Sequence, residues 1–237
     1  MNKAINLTIK IILIILFFAY VSFMIIDIFY IDLYFYSNWI KFISIALIVS
    51  LSFVERKVCL SKIDINLLNI AMVLTLFADY FLLIKGSNYI LGLAIFSVAH
   101  LFHGIRMHKD NTKIILIRFI SFLIVVFILY SVFLGTPYEI DLIIFLSLFY
   151  FVNLISNLFR AFDIHKYNKL PAINSSLLVA GFTLFLLCDI NVGLYNILST
   201  NSSNIIFNIL NDLSLRLIWF FYLPSQVFIV LSGLDFS

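Results

Sequence analysis

The sequence predicts an all-α membrane protein, a polytopic bundle of eight transmembrane helices forming one integral-membrane domain over residues 1–237. Three observations carry this. Of the 237 residues, 64% are hydrophobic and 11% charged, where soluble domains run at roughly 45–50% and about 25%. The apolar content is bulky, with 27 Phe against seven Gly and three Pro, so it is no low-complexity repeat. Finally, polar and charged clusters divide the chain into eight continuous apolar runs close to the ~20 residues a spanning helix needs. The runs do not alternate, and hydrocarbon admits only helices or closed barrels, so helices follow.

The first run, 7–26, follows Lys3 and Lys10 as a signal peptide would, but it is long and no small-residue cleavage site follows it. It reads as the first span. The second, 38–54, stops at Arg56 and Lys57; the third, 65–84, opens after Lys62 and stops at Lys85. The fourth, 89–107, and the fifth, 114–134, flank a connector holding Lys109 and Lys113. The sixth, 142–159, begins after Glu139 and Asp141 and ends at Arg160. Lys166 and Lys169 precede the seventh, 175–198, and the eighth is 212–232.

Lys and Arg concentrate in cytoplasmic connectors of membrane proteins. With the amino terminus inside, that side receives Lys3, Lys10, Arg56, Lys57, Lys62, Arg106, Lys109, Lys113, Arg118, Arg160, Lys166 and Lys169. The other side has Lys41, Lys85 and Arg216, with acids at Asp27, Asp32, Glu139 and Asp141. Both termini are therefore expected in the cytoplasm. The Ile, Asn and Lys richness suggests an AT-rich genome and hence a bacterial cytoplasmic membrane. The net charge of +3 is dispersed, which argues against nucleic acid. Cys59 and Cys188 lie outside any ligand spacing and read as free thiols, so neither a metal nor a cofactor is expected.

An ionisable residue within a span costs at least ~2.5–3.5 kcal/mol and usually faces the bundle interior or a wet cavity. Asp79 and Asp189 each lie 14 residues into their runs, helices 3 and 7, which run in the same direction. Equal depth on parallel helices lets the two carboxyls meet. Simple interhelical hydrogen bonding is the plainer alternative. A Thr-Leu-Phe stretch precedes each aspartate at different offsets, Thr75–Phe77 and Thr183–Phe185, and no internal repeat is assigned. His100 shares a face of helix 4 with Ser97 and Gly104, Tyr222 and Gln226 share one of helix 8, and Tyr150, Asn153 and Asn157 form a stripe on helix 6. Each set either lines a pocket or holds helices together. Pro224 should free a carbonyl in helix 8. His103, His108 and His165 are expected at the boundary, solvated. Phosphate-binding glycine loops, HExxH helices and GxSxG elbows are absent from the sequence.

Four fragments in order resemble the lysoplasmalogenase family of membrane proteins, called YhhN-like in bacteria. Ala78-Asp79-Tyr80-Phe81-Leu82-Leu83 is similar to that family's Gly-Asp followed by apolar residues, with Ala78 replacing the glycine. Gly92, Phe96 and His100 reproduce a Gly, Phe and His spacing, with His103 where Tyr is frequent. Gly181, Phe185 and Asp189 match on helix 7, with Cys188 in place of Ser, and Tyr222, Gln226, Ile229 and Ser232 match on helix 8. The resemblance implies hydrolysis of the vinyl ether bond of a lysoplasmalogen, lysoplasmenylethanolamine or lysoplasmenylcholine, to a fatty aldehyde and a glycerophospho-alcohol. It also implies that Asp79 and Asp189 are the catalytic pair.

That chemistry protonates the terminal alkene carbon and lets water capture the resulting oxocarbenium ion. Two carboxyls in one low-dielectric cleft can share a proton and divide these roles, as in glycosidases. His100, Tyr222 and Gln226 are expected to orient the pair or the water; Tyr150, Asn153 and Asn157 are expected to contact the polar part of the lysophospholipid. Lys85 or Arg216 would meet its phosphate, its tail lying among the helices and the bilayer. An aspartyl intramembrane protease also uses two aspartates, but its Tyr-Asp and Gly-x-Gly-Asp signatures are absent, since Ala78 and Cys188 precede the acids. A proton-coupled or small-solute transporter is the stronger rival; it favours broken helices, and helix 3 has neither glycine nor proline. A non-catalytic lipid-binding or scaffold protein is a further alternative.

Overall fold

A computed structural model describes residues 3–108, 111–134, 141–199 and 205–236. Among these, eight helices are long and apolar enough to cross a membrane, which makes the chain an integral membrane protein. They are α1 Lys3–Phe29, α2 Tyr34–Glu55, α3 Lys62–Asp79, α4 Tyr89–Met107, α5 Thr112–Phe133, α6 Leu142–Lys166, α7 Ala172–Ser199 and α8 Ile205–Leu231. A single 3-10 turn, Ile31–Leu33, precedes α2. With an even number of spans, both ends of the bundle's chain lie on one face. Lys109 and Glu139, two of the charges used above to orient the chain, lie outside the described residues.

The sequence places α4 at its observed limits and starts most of the other helices several residues late, and it ends the sixth seven residues early because polar end residues such as Asp163 and Lys166 continue α6 past the apolar stretch. Local chemistry sets some ends. Asp141 caps α6, its carboxylate accepting from the Ile143 N–H at 3.2 Å, and Pro171 stands immediately ahead of α7. Many hydroxyls inside the spans satisfy themselves on their own helix: Ser97 donates to the Leu93 carbonyl at 2.9 Å and Ser44 to Ile40 at 2.8 Å.

Helix order in space follows from the packing. α3 lies against α2 and α4, α4 against α6, α6 against α7, and α7 along α8; α8 also meets α1 and α2. α5 sits outside, against α6 and α4, burying only Ile115. Two glycines permit helix backbones to approach closely. A Cβ on Gly181 of α7 would lie 2.7 Å from Ile229 Cγ1 and 3.2 Å from the Ser225 carbonyl of α8; one on Gly92 of α4 would lie 2.7 Å from Leu82 and 3.3 Å from the Ala78 carbonyl. The second contact presses α4 against the chain either side of Asp79. The terminus-bearing face is tied together by a short pairing, with the Leu60 N–H donating to Gly233 and the Asp235 N–H to Val58.

α3 does not run on as an α-helix beyond Asp79. From Tyr80 to Lys85 the chain winds as a π-helix, closed by Gly86 in the left-handed region (φ 58°), whose N–H reaches the Phe81 carbonyl at 3.1 Å. The sequence, lacking glycine or proline between Lys62 and Lys85, had predicted a continuous helix. The change of register starts at the aspartate itself, and such π segments are frequent at functional sites. Pro224 does free a carbonyl: Phe220, four residues before it, receives the Tyr20 hydroxyl of α1 at 3.2 Å.

A candidate paired-carboxyl cavity

Asp79 and Asp189 each lie seventeen residues past the first residue of their helices, Lys62 and Ala172, or ~25 Å from the terminus-bearing face at ~1.5 Å per residue. Both line one cavity of about 460 Å³, within the usual 300–1,000 Å³ of ligand sites. The Tyr222 hydroxyl of α8 donates to Asp79 Oδ2 at 2.7 Å, and Tyr150 of α6 shares the cavity lining with Asp189. Asp189 Oδ2 is buried with no protein partner.

Around the carboxyls the walls are aromatic. Phe96, Phe185 and Trp219 line the cavity; Tyr222 packs on Trp219 and Phe185 at ring separations of 5.0 and 5.5 Å, and Phe96 on Tyr150 at 5.6 Å. Toward the face opposite the termini the lining becomes aliphatic and neutral-polar, with Leu82, Leu83, Ile143 and Val192 alternating with Tyr89, Ser147, Tyr195 and Asn196. Two acids in a cavity with mostly apolar walls suit an amphiphile better than a compact polar solute.

The sequence-predicted residues separate into two groups. Asp79, Asp189, Tyr150 and Tyr222 meet in the cavity. His100 does not line it but packs on the back of Tyr150 at 5.0 Å and Phe96 at 6.1 Å. Asn157 and Asn153 do not line it either. The Asn157 amide donates to the His100 carbonyl at 2.8 Å and faces His100 Nδ1 at 3.3 Å, while Asn153 donates to Phe149 of its own helix at 2.8 Å. Those amides are occupied by backbone carbonyls, so helix packing accounts for them. Gln226 lies outside the lining as well, its amide donating to Ser225 Oγ at 3.3 Å. Lys85, whose ammonium rests 5.6 Å from the Phe81 ring centroid, and Arg216 are also absent from the walls.

His103 departs from the expectation of a solvated boundary residue: it is 1% exposed, against Phe182 and His100. His165 is exposed and meets Ser175 Oγ at 3.0 Å. Two ion pairs were not foreseen. Arg106 turns inward from the end of α4 to Asp64 at 2.9 Å and to Ser232 Oγ at 2.9 Å. Lys41, 1% exposed, pairs with Asp27 at 2.7 Å and lies over the faces of Tyr34 and Trp219. Trp219 thus separates a buried cation from the cavity. Cys59 and Cys188 are free thiols, the latter in the cavity wall. Among the described residues no group of His, Cys, Asp and Glu has the disposition of a metal site.

Fold and cavity together define a membrane-embedded helical protein whose interior holds a cavity lined by two aspartates. Residues 38–233 match the model of the YhhN family, and the chain belongs to that family. Comparison with curated proteins and with solved structures gives no match.

Proposed function

We propose that this chain is a lysoplasmalogenase-like hydrolase that cleaves the vinyl ether bond of a lysophospholipid inside the membrane. Membership of the YhhN family is consistent with such activity. The observation that carries the reading is that Asp79, bonded by Tyr222, and Asp189 line one cavity whose walls are mostly apolar.

The chemistry needs one acid and one carboxylate. Tyr222 O–H donating to Asp79 suits Asp79 as the carboxylate, which assigns the starting proton to Asp189. Asp189 gives that proton to the alkene carbon remote from the ether oxygen, leaving an oxocarbenium ion that the Asp79 carboxylate stabilises. Water adds to the carbon bearing the ether oxygen and passes a proton to Asp79. The hemiacetal then collapses: its hydroxyl proton returns to Asp189, the carbon–oxygen bond to glycerol breaks, and that oxygen takes the proton from Asp79. The products are aldehyde and alcohol, and the pair regains its starting state.

A second reading, proton-coupled transport, draws support from the π-helical break beginning at Asp79. One experiment separates them. Purified protein in detergent, with no gradient, is incubated with lysoplasmenylethanolamine and with its saturated alkyl ether analogue. Aldehyde from the first substrate alone is the expected result, and absence of aldehyde from both would overturn the proposal.

A further inference from the structure

Beyond the carboxyl pair the interior stays polar toward the terminus-bearing face. α8 fixes both ends of this stretch: Tyr222 bonds Asp79 at one end, and the Ile229 carbonyl and Ser232 hydroxyl bond Arg106 at the other. On α3 the same stretch runs from Asp79 to Asp64, the acid paired with Arg106, a length of ~22 Å at ~1.5 Å per residue.

Between these anchors lie four buried side chains whose polar atoms have no protein partner: His100 Nε2, both ring nitrogens of His103, Asn69 Oδ1 and Gln226 Oε1. Folded proteins leave few buried polar atoms unsatisfied, and ordered water commonly accounts for those that stand alone. Their grouping along one stretch is therefore informative. The side chains follow one another in space. Tyr150, which lines the cavity with Asp189, meets His100 edge-on at 5.0 Å; His100 lies 6.0 Å from His103 between ring centroids; and Arg106 follows one turn along α4. There Arg106, Asp64 and Lys169 line a second cavity of about 160 Å³, room for several waters where one needs at least ~10–15 Å³.

We propose that the stripe His100, His103 and Arg106 on α4, with Asn69 and Gln226 facing the same stretch, is a hydrated column that supplies the hydrolytic water to the carboxyl pair from the terminus-bearing face. The proposal rests on the hydrolase reading. Each vinyl ether cleaved consumes one water, whose oxygen becomes the aldehyde oxygen. During turnover the amphiphile fills the 460 Å³ slot and closes the other approach. His103, with no protein partner on either nitrogen at the narrow middle of the stripe, is the positioning residue whose loss should interrupt supply most.

The test compares wild-type protein with His103→Leu and His103→Gln on lysoplasmenylethanolamine. The leucine variant should lose about tenfold in kcat with KM changed less than about twofold, and glutamine, still polar, should restore kcat to within about threefold. Wild-type kcat in His103→Leu would overturn the column. A parallel measurement does not depend on activity or on the leucine variant folding. His103→Cys in a Cys59→Ser chain is reconstituted into sealed vesicles and exposed to a small cationic methanethiosulfonate, with modification read by peptide mass so that Cys188 is counted apart. Modification at position 103 from the terminus-bearing face supports the column; none from either face overturns it. If wild-type protein releases no aldehyde, the hydrolase reading falls, and the labelling still decides whether the interior is hydrated.

Discussion

Tyr222→Phe is the sharpest perturbation of the proposed mechanism. It removes one oxygen, the donor to Asp79 Oδ2 at 2.7 Å, and leaves the ring that packs on Trp219 and Phe185. A hydrogen bond to a charged group contributes about 1.5–3 kcal/mol, and the carboxylate is most needed when the oxocarbenium ion forms. If the whole bond acts there, kcat/KM falls by roughly 10- to 150-fold. Aldehyde release from lysoplasmenylethanolamine, followed by coupled reduction of the aldehyde, measures it. Thermal unfolding in detergent should move little, since the phenyl ring keeps its neighbours. Wild-type kcat/KM in Tyr222→Phe, beside an Asp79→Asn reduced to residual activity, would refute the idea that the tyrosine holds the carboxylate.

The two acids should separate by pH. In the residual activity of Asp79→Asn the fall at low pH should disappear, because no base remains to be protonated; in Asp189→Asn the fall at high pH should disappear, because no acid remains to be ionised. The opposite pattern in rate against pH would exchange the two roles. Arg106→Met leaves Asp64 without its cation and should lower stability by about 3–5 kcal/mol, with much of the loss recovered in Arg106→Met/Asp64→Leu; thermal unfolding of the three proteins tests this. Gly181→Ala inserts a methyl 2.7 Å from Ile229 Cγ1 and 3.2 Å from the Ser225 carbonyl, and should cost about 1–3 kcal/mol by moving α7 off α8. An unshifted unfolding temperature would show that Ile229 yields freely.

The bundle was legible because lipid imposes one rule on every span: enough apolar residues in a row. Asp79, Asp189, Tyr150 and Tyr222 were legible for the related reason that polar groups in such runs are few. Sequence spacing identifies a helix face but not which neighbour that face meets. Asn153 and Asn157 share a stripe with Tyr150, yet only the tyrosine reaches the cavity, because the amides find backbone carbonyls first. His103 and Arg106 looked like boundary residues because they stand near a basic connector. Long side chains at a helix end can turn inward as readily as outward when an acid such as Asp64 waits there. Tyr195, Asn196 and Trp219 in the cavity wall carried no sequence signal, since aromatic and amide residues near a membrane boundary are ordinary.

The buried charges themselves distinguish structure from function. Lys41 is matched by Asp27, which also receives the Ser37 hydroxyl at 2.5 Å, and Arg106 is matched by Asp64 and Ser232. Each is a compensated pair, and each ties helices together: α1 to α2 in the first case, α3, α4 and α8 in the second. Asp79 and Asp189 are different, as is Glu55, which is fully buried with no hydrogen-bond partner on either carboxyl oxygen but lies outside the cavity. Among the described residues no Lys or Arg forms an ion pair with either aspartate, and the Tyr222 hydroxyl bonded to Asp79 leaves the charge of a carboxylate in place. Two groups of like sign facing one cavity add repulsion to the cost of burial. Helix packing alone would be served better by Asn or Ser at both positions, which bond equally well and need no counterion. Two uncompensated acids, one at the start of a π-helical break, lining a cavity of about 460 Å³ with mostly apolar walls, are the arrangement expected of groups that exchange a proton with something bound there.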